Sequence, residues 1–156
     1  MKKYLLIFMM VLTPALKSSG VEFILEYPKK DISGSHLKGR VLLFLSKNNL
    51  EEPRFQINDK ESTAFVFGID INTEKASTTI IDNKVFGYPV ERVDQVPSGE
   101  YYVQGLLHKY ETFNLKTGHT VNLPMDKGEG QRWHSAPGNY YSKVKKISLD
   151  HKNIKT

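Results

Sequence analysis

The chain is 156 residues long, with 22 Lys and Arg against 17 Asp and Glu for a net charge of +5, and it contains no cysteine. The absent thiols exclude disulfide staples, thiol catalysis and cysteine zinc sites, so an exported domain of this sequence must be held by packing alone. Its positive charge is too small, once the N-terminus is considered, to argue for nucleic acid. Lys2 and Lys3 precede an apolar block over residues 4–11, followed by Pro14 and the small residues Ser18, Ser19 and Gly20. That order of basic, apolar and small residues predicts a secretory signal peptide over residues 1–20. The block is shorter than the roughly 20 apolar residues of a membrane span, so cleavage near Gly20, no span in the processed chain, and a periplasmic or extracellular location are expected. Loss of Lys2, Lys3 and Lys17 leaves 19 basic and 17 acidic residues, a net charge of +2. Residues 21–150 are then long enough for one domain with a real core, and residues 151–156 form a C-terminal tail.

Along the processed chain the apolar pattern has a period of two. Val21, Phe23, Leu25 and Tyr27 share one face and Glu22 and Glu26 the other, which predicts an outer strand ended by Pro28. Residues 40–46 are apolar on both faces and predict a central strand, bounded by Gly39 and by the turn at Lys47-Asn48-Asn49. Residues 50–61 are charged and contain Pro53, and are expected to cross between two sheets. Phe65, Phe67, Ile69 and Ile71 then alternate with Ala64, Val66 and Gly68, a strand with one bulky and one small face. A short β-rich run at residues 78–81 follows, then a turn at Asp82-Asn83-Lys84 and Val85-Phe86 leading into Gly87-Tyr88-Pro89, and residues 90–95 could close one helical turn. No stretch carries a 3.6-residue apolar stripe.

Pro97-Ser98-Gly99 is a turn feeding directly into a strand from Glu100 to about Tyr110. In immunoglobulin-like sandwiches a Tyr just beyond such a turn returns its hydroxyl to the turn backbone; Gly99 and Tyr101 are expected to make that structural corner. The last strand is expected over residues 139–149, with a bulge at Lys145-Lys146 and lysines guarding an exposed edge. The spacing of turns predicts an all-β fold, specifically an immunoglobulin-like β-sandwich with a long loop excursion before its last strand.

That excursion, residues 109–141, is where chemistry could sit. It holds Arg132, Trp133 (the only Trp), His134, Tyr140 and Tyr141 among glycines and prolines. One reading is a ligand-binding rim, with the aromatic rings as platforms and Arg132 as an anion anchor. The other is an excursion packed on its own aromatics, the commoner fate of such side chains. His119, Asp126, Glu129 and His134 are acceptable metal ligands, yet their spacing matches no metal motif, so neither metal nor cofactor is expected. The sequence contains no nucleophile elbow and no phosphate loop, and no catalytic residue is assigned. The basic C-terminal edge at Lys143, Lys145, Lys146, Lys152 and Lys155 reads as a solvated face.

The run Pro97-Ser98-Gly99-Glu100-Tyr101-Tyr102-Val103-Gln104, continued by Tyr110-Glu111-Thr112-Phe113, Gly118-His119-Thr120-Val121, Leu123-Pro124-Met125-Asp126, Gly128-Glu129-Gly130-Gln131 and Ser135-Ala136-Pro137-Gly138-Asn139-Tyr140-Tyr141-Ser142, resembles the β-rich N-terminal part of large exported bacterial proteins described as esterases or hypothetical proteins. The likeness covers the second half of the chain closely and residues 39–71 more loosely. In such proteins the hydrolase module, where there is one, follows as a separate α/β-hydrolase-type domain. The resemblance therefore implies an accessory domain without the catalytic half, and it carries over no catalytic residue. The leading expectation is an exported, non-catalytic interaction domain with a protein or hydrolase-domain partner. The alternatives are a module that lends a rim to an esterase site, and a small carbohydrate-binding domain that stacks sugars on Trp133, Tyr140 and Tyr141.

Overall fold

The computed structural model describes residues 21–26, 36–73, 78–125 and 132–150. The described residues are antiparallel β-structure with three short 3-10 turns and no α-helix, as the period-two patterning requires. Nine strands follow in order: β1 Phe23–Glu26, β2 Leu37–Ser46, β3 Phe65–Thr73, β4 Thr78–Ile81, β5 Gly87–Tyr88, β6 Gly99–Asn114, β7 Thr120–Pro124, β8 Tyr140–Tyr141 and β9 Lys145–Leu149. No helix among the described residues is long and apolar enough to cross a membrane.

β1 and β4 make a two-stranded sheet, and the other seven strands make a larger one in the order β5-β3-β2-β6-β7, with β8 and β9 also bonded to β6. β6 is the spine. One of its edges carries β2 along residues 102–109, while the other is shared end to end by β9, β8 and β7. The two-faced apolar segment at residues 40–46 is central because its neighbours β3 and β6 cover both its edges.

The connection over residues 50–61 does not cross between sheets. β2 and β3 are antiparallel neighbours, so the segment returns to the same sheet, and on the way its 3-10 turn Pro53–Phe55 lies against β2 and β6. Pro53 starts that turn because its fixed φ suits a first helical position and its missing N–H is not needed there.

Side-chain alternation sends residues of the large sheet to two faces. Val41, Leu43 and Leu45 of β2, Phe67 of β3, and Tyr101, Val103 and Leu107 of β6 join Phe23 and Leu25 of β1 and Ile81 of β4 in one buried cluster. Each such side chain contributes about 1.5–3 kcal/mol by leaving water, and this is the principal core. At its edge the Tyr101 hydroxyl donates to the Pro97 carbonyl at 2.8 Å, and Phe65 meets the Tyr101 ring edge-on at 6.0 Å. Tyr101→Phe keeps the ring and deletes only that bond. It is expected to cost about 1 kcal/mol, read as a lower urea midpoint with an unchanged denaturant slope.

The last strand is interrupted, though not at Lys145-Lys146. Leu106 pairs with Tyr141 and Val103 with Lys145, so three steps along β6 face four along the other strand, and the extra residue falls within 142–144. Ser142 sits at the break and repairs it. Its N–H donates to the Gly105 carbonyl and its hydroxyl accepts from the Gly105 N–H, each at 2.9 Å.

The excursion is also more regular than a loop. β6 runs on to Asn114 and turns back as β7, with Phe113 opposite Val121 and Glu111 opposite Leu123. At the tip Leu115 N–H donates to the His119 carbonyl at 2.8 Å and Gly118 N–H to the Leu115 carbonyl at 3.0 Å. Gly118 has φ +84°, the left-handed conformation with which a short hairpin loop closes onto its strands.

Candidate functional site

The second face of the large sheet carries Phe44, Gln104 and Leu106, all at most 1% exposed. They are covered by the turn at Pro53–Phe55 and by a second 3-10 turn, Trp133–Ser135. The Trp133 ring stacks on Phe44 with centroids 5.8 Å apart and planes 14° from parallel. His134 meets Phe55 edge-on at 5.0 Å and Trp133 at 5.5 Å. These segments lie far apart in sequence, and one side chain gathers them.

That side chain is Arg54, which is buried although it carries a full charge. Its guanidinium lies 3.8 Å from the centre of the Tyr141 ring and 4.4 Å from that of Phe55, so flat faces replace part of its water by cation–π attraction. Nε donates to Glu52 Oε2 at 2.9 Å and Nη1 to the His134 carbonyl at 3.0 Å. Gln104 completes the network: its Nε2 donates to Glu52 Oε2 at 2.6 Å and to the Ser142 carbonyl at 3.1 Å, while its Oε1 accepts the Arg54 N–H at 3.3 Å. Every buried side-chain polar atom among the described residues has a partner, as a polar cluster set against an apolar sheet needs.

A second chain of bonds ties the same turn to β6. Asn139 Nδ2 donates to the Trp133 carbonyl at 2.7 Å, which leaves its Oδ1 as acceptor for His108 Nδ1 at 3.0 Å. His108 therefore carries its proton on Nδ1.

Of the residues expected at a site, Trp133, His134 and Tyr141 converge around Arg54, and Arg132 sits exposed at the entrance to their turn. Tyr140 does not join them. It packs against the principal core, on the other face of β8 from Tyr141, as strand alternation dictates. Trp133 and Tyr141 each lend one ring face to internal packing, on Phe44 and on Arg54 respectively. His119 lies at the exposed tip of the β6–β7 hairpin, while Asp126 and Glu129 fall outside the described residues. Among the described residues no three His, Cys, Asp or Glu side chains approach closely enough to hold a metal. Gly99 and Tyr101 stand at the corner already described.

The site's electrostatics favour neutral histidine. Burial pushes His134 below its ordinary value of 6.5, and the positive charges of Arg54 and Arg132 push it further. Its Nδ1 is hydrogen-bonded to Ser135 Oγ at 2.9 Å. The N–H groups of Ser135 and Ala136, which could otherwise face a reacting carbonyl, are spent on Arg132 and Trp133 carbonyls at 3.0 and 3.5 Å. The arrangement holds a loop to a sheet.

A histidine kept neutral by the fold makes stability depend on pH in one direction. The unfolded chain binds the proton near 6.5 and the native chain only at lower pH, so the contribution is whole above about 6.5 and is lost as the pH falls through the native value. Urea unfolding followed by Trp133 fluorescence is expected to give a lower midpoint at pH 5 than at pH 7.5, with a smaller difference in His134→Gln.

Arg54, Glu52, Gln104, Ser142 and Phe44 are absent from the sequence-based set. One signal was available: Gln104 is a lone amide within the otherwise apolar run Val103 to Leu107, and an amide in a central strand needs partners from another layer.

No protein-family model, curated protein or solved structure matches the chain. Among the described residues the geometry defines the class: antiparallel β-structure whose spine strand carries a packed turn on one face and runs on into an exposed hairpin.

Proposed function

We propose that the chain is an exported, immunoglobulin-like β-sandwich that acts as an accessory domain by binding another protein surface. Two features support the sandwich. The order β3-β2-β6-β9 opposite the pair β1-β4 is that of a four-stranded and a two-stranded layer sharing one core, and the Tyr101 hydroxyl on the Pro97 carbonyl matches a tyrosine corner. Residues 1–20 serve as the export signal, and the domain works in the periplasm or outside the cell.

The observation that carries the interaction reading is the projecting hairpin. Phe113, Leu115 and Leu123 are 39%, 46% and 50% exposed on a ribbon of two strands, an arrangement that is marginal in water without cover. Large apolar side chains grouped on an exposed ribbon mark a contact surface.

Two measurements test the reading. Expressed with its own N-terminus in a bacterial host, the protein should leave the cytoplasm with an intact mass that begins near Val21; full-length protein retained inside would contradict export. A photo-reactive phenylalanine at position 113 should give a discrete protein adduct in cells that the same group at Lys60 does not, and equal or absent adducts at both would count against a contact domain.

A further inference from the structure

Arg54 does not spend all of its donors. Nε donates to Glu52 Oε2 and Nη1 to the His134 carbonyl, whereas Nη2 has no hydrogen-bond partner among the described residues. The side chain is only 8% exposed, and no side-chain nitrogen or oxygen shut away from solvent is left without a partner among those residues. Nη2 is therefore the part of this buried cation that water reaches. Glu52 does not turn to it, because its Oε2 is shared between Arg54 Nε at 2.9 Å and Gln104 Nε2 at 2.6 Å. A guanidinium enclosed on its other sides, with one nitrogen left open, is a fixed charged donor with no acceptor of its own.

We infer that this opening binds a carboxylate carried on an apolar or aromatic body, at a site separate from the β6–β7 hairpin. The Tyr141 and Phe55 rings lie 3.8 and 4.4 Å from the guanidinium carbon, so they cover its flat surface and leave its edge as the approach. A carboxylate is planar and meets a guanidinium edge to edge, whereas a tetrahedral phosphate turns oxygens out of that plane, toward the rings. Phe55 and Tyr141 are themselves 37% and 40% exposed, which gives the rest of the ligand an apolar seat. The charge also suits an anion. Arg132 stands exposed at the entrance to the neighbouring turn, and its side chain has no ion pair or hydrogen bond among the described residues. The charges that reach the His134 ring, those of Arg54 and Arg132, are both positive. Against these two arginines, Glu52 is the one carboxylate bonded to the cluster among the described residues.

A single charge pair at an opening that water reaches is weak. Helped by contact with two aromatic rings, a small carboxylate should bind with a dissociation constant on the order of 1 mM.

The test is an NMR titration of the protein at pH 7.5 with sodium benzoate up to about 50 mM, a range that brackets the expected constant, with ionic strength held constant by sodium chloride. Benzamide, the uncharged relative, and inorganic phosphate are titrated in parallel. Benzoate should give saturable shifts centred on the Arg54 side chain and on the amides of Phe55, His134 and Tyr141, and benzamide and phosphate should not. Bound benzoate should also raise the pKa of His134, because a nearby anion offsets the two arginines. Arg54→Lys keeps the charge but loses the planar fork, and should weaken binding at least about tenfold. Arg132→Gln, at an exposed position, should weaken it roughly threefold, the scale of one exposed charge pair. Absence of saturable shifts overturns the inference, as do equal shifts with benzamide, equal binding of phosphate, or a folded Arg54→Lys variant that binds like wild type. Should Arg54→Lys fail to fold, the decision passes to Arg132→Gln and the His134 titration, and wild-type affinity in that variant together with an unmoved His134 pKa overturns the inference.

Discussion

Gly39→Ala is expected to destabilise the domain by about 3 kcal/mol or more, at the upper end of what inserting one methyl group costs in a packed interior, and to lower its melting temperature by roughly 10 °C. Gly39 lies opposite Lys109 where β2 meets β6. A Cβ built on it would stand 2.2 Å from the His108 carbonyl oxygen and 3.1 Å from the Lys109 Cα. Both obstacles are backbone, so no rotamer change relieves the contact; the two central strands must separate. Their pairing is the longest in the sheet after that of β2 with β3, and the principal core and the Arg54 layer are built on opposite faces of it. The loss should therefore be global, with near- and far-ultraviolet dichroism melting together. Gly118 offers a contrast, since nothing lies within 4 Å of its Cβ direction and what it supplies is φ +84°. Asn tolerates that conformation, so Gly118→Asn should change stability little, whereas Gly39→Asn should be at least as damaging as Gly39→Ala. Equal effects at the two positions would show that close approach is not what Gly39 provides.

The difference between those glycines bears on what a sequence can disclose. The hairpin tip is local: Leu115, Lys116, Thr117 and Gly118 carry their own turn chemistry, and a reader can see it. Gly39 serves a carbonyl 69 positions away, and no window of neighbouring residues contains that fact. Strand β2 was legible because apolar side chains on both faces of residues 40–46 demand cover on both sides, and Phe23 and Leu25 disclosed β1 by alternation. β7 was not, because Thr120 to Pro124 is only five residues long and mixes polar with apolar on an exposed ribbon, so its strand character comes from pairing with β6. The bulge was expected from the lysine pair at Lys145-Lys146, but it lies earlier, where Ser142 can substitute its hydroxyl for a missing backbone acceptor. A serine reads as loop unless its partner is known. Trp133, His134 and Tyr141 were legible as a group by their density in one segment. The residue that gathers them, Arg54, was hidden in a charged connection, because its burial depends on rings and carbonyls up to 87 positions distant.

Gln104→Leu is expected to cost about 2–4 kcal/mol, although the replacement is close in volume and more apolar, because it leaves several buried groups unpaired at once. The amide supplies an acceptor to the Arg54 N–H and donors to the Ser142 carbonyl and the Glu52 carboxylate. Leucine supplies none, and the position is fully buried, so water cannot take over without opening the layer. Glu52 retains Arg54 Nε at 2.9 Å, which makes the backbone groups of Arg54 and Ser142 the principal losers. Since these belong to the turn beneath Tyr141 and to the bulge between β8 and β9 that faces β6, the damage should begin locally. Trp133 fluorescence should shift as its turn lifts from Phe44, ahead of the global transition followed by far-ultraviolet dichroism. Ser142→Ala should also destabilise, by orphaning the Gly105 N–H, at about 1–3 kcal/mol. Because both side chains act on the same few ångströms of β6 and its neighbour, the double variant should lose less than the two single losses combined. A fully additive pair, or a Gln104→Leu variant within about 0.5 kcal/mol of wild type, would mean that the outer layer is held by the Trp133–Phe44 stack and the Arg54 clamp, with the amide merely filling space between them.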